Sequence, residues 1–325
     1  MKANFKTMNT RAIWEYVRGN YESIRKRAHT LNPETIGLKS RVKGLPENPA
    51  ILGTSAKVEA SALKFPDIVS RVLYLSPAYE SFIDGADGKR TLCPFATTCI
   101  DPCLGHNAGR QAMDDSFNAR LWKTTILMGA PKAFSEVLHR EIAQMIKRCS
   151  SKLSPETGRP MRFAFRFDGS SDLGKGKRLA RRFPDALFFD YTKSETRAIS
   201  NARGLHPSNF SQCYSFDGTR AGIERARRVL QAGGNIAAVF DVLPAIKSAD
   251  GYRRPPGKLP AYFLGAPVFD GDEHDLLNND PRAPGGMVRG LRFKAARDRD
   301  AMIKASKGFC VKVDSPLCAA PGSKG

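Results

Sequence analysis

The chain has 325 residues, 41% of them hydrophobic and 26% charged, a composition that excludes a disordered chain and is typical of a globular protein. Its 52 Lys and Arg residues against 32 Asp and Glu residues give a formal net charge of +20, which favours nucleic acid or another polyanion as partner. No apolar run approaches the roughly 20 residues that a bilayer-spanning helix needs. The charged N-terminus lacks the apolar centre of a signal peptide, so we expect a cytoplasmic protein without a membrane partner.

The first 50 residues are basic and predict an N-terminal extension, with an amphipathic helix around residues 14–24 followed by a loop. Residues 51–325 predict one α/β domain, because short apolar segments alternate with helical ones. The clearest helices are predicted at 131–148, where apolar residues recur every three or four positions, and from Thr219 to the Gly233–Gly234 pair. The predicted strands are "RVLYLS" (71–76), "MRFAFRF" (161–167), "ALFFDY" (186–191), "FSQCYS" (210–215), "NIAAVF" (235–240), "YFLGAPVF" (262–269), "GMVRGLRF" (286–293) and "FCVKV" (309–313).

This alternation predicts a mainly parallel sheet with right-handed crossovers. An open doubly wound sheet and a full or partial (β/α) barrel both agree with seven or eight such strands. In either fold, ligands bind at the carboxyl ends of the strands.

Polar residues follow most of the predicted strands. Helix capping explains Asp217 and Asp241 as well as a ligand does, whereas the acidic run "DGDEHD" (270–275) needs a cation or basic neighbours to offset its repulsion. The other polar residues at strand ends are Asp168, Gly169, Ser170, Ser171 and Asp172 after the second strand, Asp190 and Lys193 at the third, Ser215 at the fourth, and Lys294 at the seventh.

The stretch "TLCPFATTCIDPCLGHNAGR" (91–110) follows the first strand and carries Cys93, Cys99 and Cys103. Three thiolates can hold three irons of a [4Fe-4S] cluster and leave the fourth iron open to a small molecule. With His106 they could instead form a Cys3His zinc site, or the loop could pack without metal. Cytoplasmic thiols stay reduced, which disfavours disulfides. The position beside the polar strand ends favours the open cluster.

Five segments together resemble a phage and plasmid protein family labelled gene product eighty-eight-like, in order from about Val69 to Val313. They are "CPFATTCIDPCLGHNAGR", "FRFDGSSD", "FPDALFFDYTK", "GGNIAAVFD" and "VFDGDEHDLLNNDP" with the following "GGMVRGLRFK". That family is itself similar to radical S-adenosylmethionine (SAM) enzymes. The resemblance implies a full or partial (β/α) barrel, with Cys93, Cys99 and Cys103 as cluster ligands. It also implies that "GSSD" (169–172) binds the SAM amino group, with Asp172 accepting hydrogen bonds from the ammonium.

The cysteine spacing differs from the usual radical SAM pattern. This chain has C-x5-C-x3-C in place of C-x3-C-x2-C, and Pro102 stands where an aromatic residue commonly precedes the last cysteine. The longer gaps argue more strongly against SAM binding than against cluster binding.

Three functions follow as hypotheses. The first is a radical SAM-like iron–sulfur enzyme acting on a polyanion such as DNA or RNA. The second is a zinc-stabilised, non-enzymatic nucleic-acid-binding protein that uses the basic segments 175–183 and 224–229. The third is a metal-dependent nuclease that uses Asp168 and the acidic run. For the enzyme hypothesis, the residues predicted to line the substrate end are Asp190, Lys193, Asp270, His274 and Lys294.

Overall fold

The structure is a computed structural model, and it describes residues 3–28, 44–77, 83–85, 88–100, 102–103, 109–247, 253–276, 285–294 and 298–322. Its helices are α1 (Thr10–Gly19), α2 (Tyr21–Ala28), α3 (Ala56–Lys64), α4 (Asp114–Gly129), α5 (Pro131–Ser150), α6 (Gly176–Arg182), α7 (Glu195–Ala202), α8 (Arg220–Gln231) and α9 (Arg299–Ala305). Side chains of Asn9, Ser55, Ser194 and Thr219 cap α1, α3, α7 and α8 by accepting first-turn N–H groups. Within the described residues, every helix is too short or too polar to cross a membrane.

The strands are β1 (Ile68–Val72), β2 (Ile83–Gly85), β3 (Gly88–Arg90), β4 (Arg162–Arg166), β5 (Leu187–Thr192), β6 (Phe210–Ser215), β7 (Ile236–Phe240), β8 (Ile246–Lys247), β9 (Arg253–Arg254), β10 (Tyr262–Phe263), β11 (Ala266–Asp270), β12 (Val288–Arg292) and β13 (Cys310–Val311). Nine of them form one sheet in the order β1-β4-β5-β6-β7-β12-β11-β10, with β13 paired to the end of β7. All neighbours are parallel except β10 and β11. The predicted mixed α/β fold with a mainly parallel sheet is confirmed.

From β1 to β7 each crossover moves the chain one strand further in the same direction, and helices α4 to α8 cover one face of the sheet. Met302 and Ile303 of α9 pack with Val239 on the other face. Phe163 and Phe165 of β4 and Phe188 of β5 pack with residues of α4, α5 and α6. Further along, Ile236 and Phe240 of β7 pack with α7 and α8. Because successive side chains of a strand alternate between faces, the residues between these aromatic and aliphatic ones point to the opposite face.

The sheet is open, so the prediction of a full barrel is wrong. At one edge, Val72 of β1 exchanges two backbone hydrogen bonds of 2.9 Å with Gly53. At the other edge, β10 pairs antiparallel with β11. The strand order also reverses after β7, where β12 inserts before β11. Closure would require the two edge strands, β1 and β10, to pair with each other, and among the described residues they do not.

The predicted basic N-terminal extension is not seen as a separate segment among residues 3–28. Ile13, Trp14 and Val17 of α1 and Ile24 of α2 are buried in the same hydrophobic core as α4 and α5. The predicted helix at 14–24 is two helices that meet at Asn20, whose side chain donates to the carbonyl of Tyr16. Residues 29–43 lie outside the described part of the chain.

One predicted strand, at 262–269, is a tight hairpin. Leu264 and Gly265 have φ values of +53° and +79°, and they turn the chain between β10 and β11. Glycine adopts this backbone conformation without steric cost. The apolar run therefore contains a reversal that its periodicity does not display.

Candidate functional site

A cavity of about 500 Å³ lies at the carboxyl ends of the parallel strands. Tyr191 and Val239, which alternate with the helix-facing residues of β5 and β7, form part of its wall. The cavity therefore extends from the carboxyl edge of the sheet onto the face opposite α5 to α8, and Ser116 of α4 also lines it. It is also lined by these residues from the sequence analysis: Cys93, Cys99, Cys103, Asp168, Gly169, Ser170, Ser171, Asp172, Lys193, Ser215, Asp272, Asp275 and Lys294.

The cysteine loop, residues 91–103, is folded by short turns and tied to the sheet. The N–H of Cys103 donates to the carbonyl of Ile100 at 3.3 Å. The hydroxyl of Thr98 donates to the carbonyl of Asp217, just after β6. Cys99 packs against an apolar cluster formed in part by β7 and β13. These contacts bring all three loop cysteines to the cavity wall.

The GSSD loop, residues 169–172, contacts the cysteine loop directly. The N–H of Asp172 donates to the carbonyl of Leu92 at 2.9 Å. The thiol of Cys93 lies 3.5 Å from the carbonyl oxygen of Ser170, within range for a sulfur donor. The structure thus places side by side two segments that are 77 residues apart in sequence.

Asp172 is buried and its carboxylate is well supported. One oxygen accepts from the Thr192 hydroxyl at 2.8 Å and from the Arg197 guanidinium at 3.0 Å, and the other from the N–H of Lys193 at 2.8 Å. Burial raises the pKa of Asp172, although the bonds from Lys193 and Thr192 oppose this shift. Because a carboxylate has about four acceptor positions, three bonds leave room for one further donor.

Asp168 and Asp190 form a buried carboxyl pair below the GSSD loop. The Asp168 carboxylate accepts from the Ser171 hydroxyl at 2.6 Å and from the N–H of Gly174 at 2.8 Å. The N–H of Asp168 donates to Asp190 at 2.8 Å. Asp190 is fully buried, it does not line the cavity, and its Oδ2 points at the Cα of Gly176, where an added Cβ would lie 2.2 Å away. These contacts support the loop, and the predicted substrate role of Asp190 stays a prediction.

Lys193 and Lys294 both line the cavity, but their surroundings differ. The Lys193 ammonium donates to the hydroxyl and carbonyl of Ser215 at 3.2 and 3.3 Å and lies 5.0 Å from the ring centroid of Phe309. No carboxylate among the described residues lies within ion-pair distance of it. Lys294 instead pairs with Asp272 at 2.9 Å. Lys193 is therefore the better candidate to hold an anionic group of a ligand.

Asp270 and His274 lie outside the cavity wall. Both oxygens of Asp270 accept from the Arg292 guanidinium at 2.8 Å. The His274 ring is buried edge-on against Phe65, with ring centroids 4.9 Å apart, and its carbonyl accepts from Arg289 at 2.7 Å. Basic partners thus offset the repulsion within the acidic run. The structure does not bring these two residues to the predicted substrate end.

Arg166 is a cavity residue that the sequence analysis missed. It is the last residue of β4, its guanidinium stacks 4.6 Å from the ring centroid of Tyr191, and it lies 3.8 Å from Asp275. Burial lowers the pKa of Arg166, but Asp275 and Tyr191 more than offset this and raise it. The sequence does contain a signal for Arg166, which is an arginine inside the apolar run "RFAFRF". An unpaired guanidinium is costly to bury, so an arginine there indicates a specific partner.

The cavity lining contains three thiols, and thiols are the ligand type of iron–sulfur clusters. Three thiols share one wall with the apolar side chains of Ala96, Ile100, Val239 and Leu291, and such a shell limits solvent access to a cluster. Among the described residues, no group of three or more His, Cys, Asp or Glu side chains has the geometry of a metal site in this structure. His106, the fourth ligand of the zinc alternative, lies outside the described residues.

The fold and site define an open-sheet α/β protein with a thiol-lined cavity at the carboxyl ends of its parallel strands. Residues 54–312 match the family model described as Gene product 88. The chain therefore belongs to the Gene product 88 family, which confirms that part of the resemblance. No curated protein and no solved structure matches the chain, and the similarity to radical SAM enzymes stays a prediction.

Proposed function

We propose that this protein is an iron–sulfur enzyme of the radical SAM type that acts on a polyanion. The observation that carries the proposal is the shared cavity: the cysteine loop and the GSSD loop line it together, and Cys93 contacts the carbonyl of Ser170. A purely structural metal site needs no cavity beside it. Here about 500 Å³ adjoins the thiols, which suits a ligand held next to them.

Cys93, Cys99 and Cys103 would hold three irons of a [4Fe-4S] cluster. When bound, such a cluster supplies single electrons to SAM, and the protein positions the reactants and excludes water. Metal binding requires thiolates, and a thiolate cannot donate a hydrogen bond. The Ser170 carbonyl, which now accepts from the Cys93 thiol, then becomes available to an ammonium group.

The GSSD loop would bind that ammonium through Asp172 and neighbouring backbone carbonyls from Gly169 to Ser171. Asp172 already accepts three hydrogen bonds, and the remaining acceptor position suits one more donor. Lys193, held by neutral oxygens, would hold the carboxylate of SAM or a phosphate of the substrate.

Iron content tests the proposal. Protein purified without oxygen should hold about four irons and four sulfides per chain and absorb at ~400 nm. Cys99→Ala should lose most of the iron and the absorption. Cys318→Ala is the matched control, because Cys318 is equally half-buried but lies outside the cavity, and it should keep both. With dithionite as the electron source, the loaded protein should cleave SAM to methionine and 5′-deoxyadenosine, the second product arising when the released adenosyl fragment takes up a hydrogen atom.

A colourless protein with one zinc per chain would contradict the proposal and favour the zinc-stabilised nucleic-acid-binding alternative. An iron-containing protein that neither binds nor cleaves SAM would support the cluster and contradict the SAM part of the proposal. The nuclease alternative has less support, because Asp270 and Asp272 are held by Arg292 and Lys294.

A further inference from the structure

One short helix presents a concentrated basic surface. Gly176, Leu179 and Ala180 of α6 are buried against the domain. The remaining positions of the helix and the residue before it carry only basic side chains. These are Lys175, Lys177, Arg178, Arg181 and Arg182, of which Lys177 is half-buried and the others are exposed. We call these five residues the α6 basic surface.

Among the described residues, no carboxylate lies within ion-pair distance of the α6 basic surface, although Asp168 acts on Lys175 at longer range. None of its side chains makes an ion pair within the part of the chain that the structure describes. The second arginine-rich helix, α8, differs in this respect. Its Arg225, Arg227 and Arg228 pair with Asp217, Glu224 and Glu195 at 2.5, 2.9 and 2.5 Å. The structure thus separates two segments that look alike in sequence: α8 is neutralised internally and α6 is not.

Two histidines lie near the cations of α6, and their lowered pKa values reflect burial and that positive surrounding. Burial and the nearby Lys177 and Arg181 lower the pKa of His206 to about 4. On the other side, burial and Arg182 lower the pKa of His139 of α5, while Glu136 opposes the shift. Both imidazoles therefore lie near the cations of α6, and neither offers a counter-charge.

Only the N-terminal end of the α6 basic surface lies near the cavity: Gly174, one residue before Lys175, donates its N–H to the cavity residue Asp168 at 2.8 Å. Helix α6 begins four residues after Asp172. Before it, the Cα of Gly174 packs so closely on the Arg197 guanidinium that an added Cβ would lie 2.6 Å from it. Arg197 in turn lies over the ring of Phe95, 5.1 Å from the centroid, and this aromatic side chain of the cysteine loop is 38% exposed. Arg197 and the exposed ring of Phe95 thus lie toward the end of α6 where Lys175 stands, whereas Arg181 and Arg182 lie at the other end of the helix.

We propose that the α6 basic surface binds the sugar–phosphate backbone of a single-stranded nucleic acid and leads it to the cavity. Unpaired cations attract phosphates through release of counterions, and an exposed aromatic ring beside them suits a base that is not stacked in a duplex. A single strand is favoured because the cavity can admit one nucleotide but not a duplex. This inference names the substrate class of the proposed enzyme and rests on that proposal only for the step into the cavity.

The test is binding of a fluorescently labelled, mixed-sequence 20-nucleotide DNA strand, its RNA equivalent and the DNA duplex, measured by anisotropy over a range of salt concentrations. Arg178→Gln with Arg181→Gln should weaken single-strand binding roughly tenfold at ~0.1 M salt. It should also reduce the slope of log affinity against log salt by about 1.4, or 0.7 per lost phosphate contact. Arg227→Gln with Arg228→Gln is the matched control. It removes the same charge from exposed helical arginines that are paired, and it should change affinity less than twofold.

Equal weakening by the two double variants would overturn the proposal, because net charge alone would then explain binding. Absence of binding by the unmodified protein, or equal affinity for duplex and single strand, would overturn it as well. Arg178→Gln with Arg181→Gln also separates this inference from the enzyme proposal, because neither residue lines the cavity. This variant should weaken strand binding but keep the iron content and the absorption of the unmodified protein, so each proposal can fail alone.

Discussion

Asp190 points its carboxyl group toward the helix side of the sheet, in line with Phe188 rather than with the cavity residue Tyr191. Only its Oδ1 has a hydrogen-bond donor in the structure, the N–H of Asp168, while its Oδ2 is buried without a partner. Burial, followed by the nearby Asp168 carboxylate, raises the pKa of Asp190 well above 3.8. The native protein therefore keeps a proton on Asp190 that the unfolded chain loses.

This proton makes stability fall as pH rises. Between pH 3.8 and the higher native pKa, the folded state binds more protons at Asp190 than the unfolded state does. Asp190→Asn keeps the shape and removes the titration. As pH rises through that window, the free energy of unfolding of Asp190→Asn minus that of the unmodified protein should increase by up to about 1.4 kcal/mol for each pH unit. Urea unfolding at several pH values between 4 and 7.5 measures this difference, and a difference that stays constant with pH would contradict it.

At the scale of the secondary-structure elements, helices α2 and α4 pack with their backbones in close contact. A Cβ added to Gly129, at the end of α4, would lie 2.1 Å from the carbonyl oxygen of Ile24 in α2. The hydroxyl of Tyr21 also bonds to Thr125 across the same pair of helices. A residue without a Cβ is therefore needed where the helices meet.

Gly129→Ala should separate α2 from α4, because backbone atoms cannot move aside as a flexible side chain can. We expect the free energy of unfolding to fall by about 1–3 kcal/mol, measured by urea or thermal unfolding. Gly19→Ala is the matched control, since it also ends a helix and an added Cβ meets nothing within 4 Å. Its stability should be unchanged or slightly higher. Equal losses in both variants would show that helix packing is not the cause.

At the scale of the whole molecule, α1 and α2 complete the main hydrophobic core. Ile13, Trp14, Val17 and Ile24 are buried there. Burial of each such side chain contributes roughly 1.5–3 kcal/mol. Four of them contribute an amount comparable with the ~5–15 kcal/mol by which a whole domain is stable.

Removal of residues 1–28 should therefore prevent stable folding, even though the family match begins only at residue 54. We expect the shortened chain to aggregate or to show no cooperative thermal transition. Arg11→Gln in the intact chain is the control, because this residue is exposed and pairs only with Glu15, and its transition should stay in place. A shortened chain that unfolds cooperatively at the same temperature would contradict the expectation.

Much of the sheet and the α5 and α8 helices could be predicted from local patterns. The segments that became β4, β5, β6 and β7 are short apolar runs, and their alternation with helices predicts parallel pairing. The open edges, the insertion of β12 beside β7 and the docking of α1 depend on contacts between distant parts of the chain. No local pattern contains that information.

The candidate site was predicted with similar limits. The loop cysteines, the GSSD loop, Lys193 and Lys294 line one cavity because carboxyl ends of parallel strands share one edge. Which face Asp190 points to could not be predicted, because the face of a strand residue depends on whether it stands at an odd or even position from a known core residue. Arg166 was missed because it lies inside an apolar run.

The pairing of β13 with β7 affects when the cavity can form during synthesis of the chain. Phe309, just before β13, lines the same cavity as Cys93 and Cys103, yet it leaves the ribosome long after them. The cavity therefore lacks part of its lining until residue 309 has been synthesised, so it takes its final shape late, whatever ligand it binds.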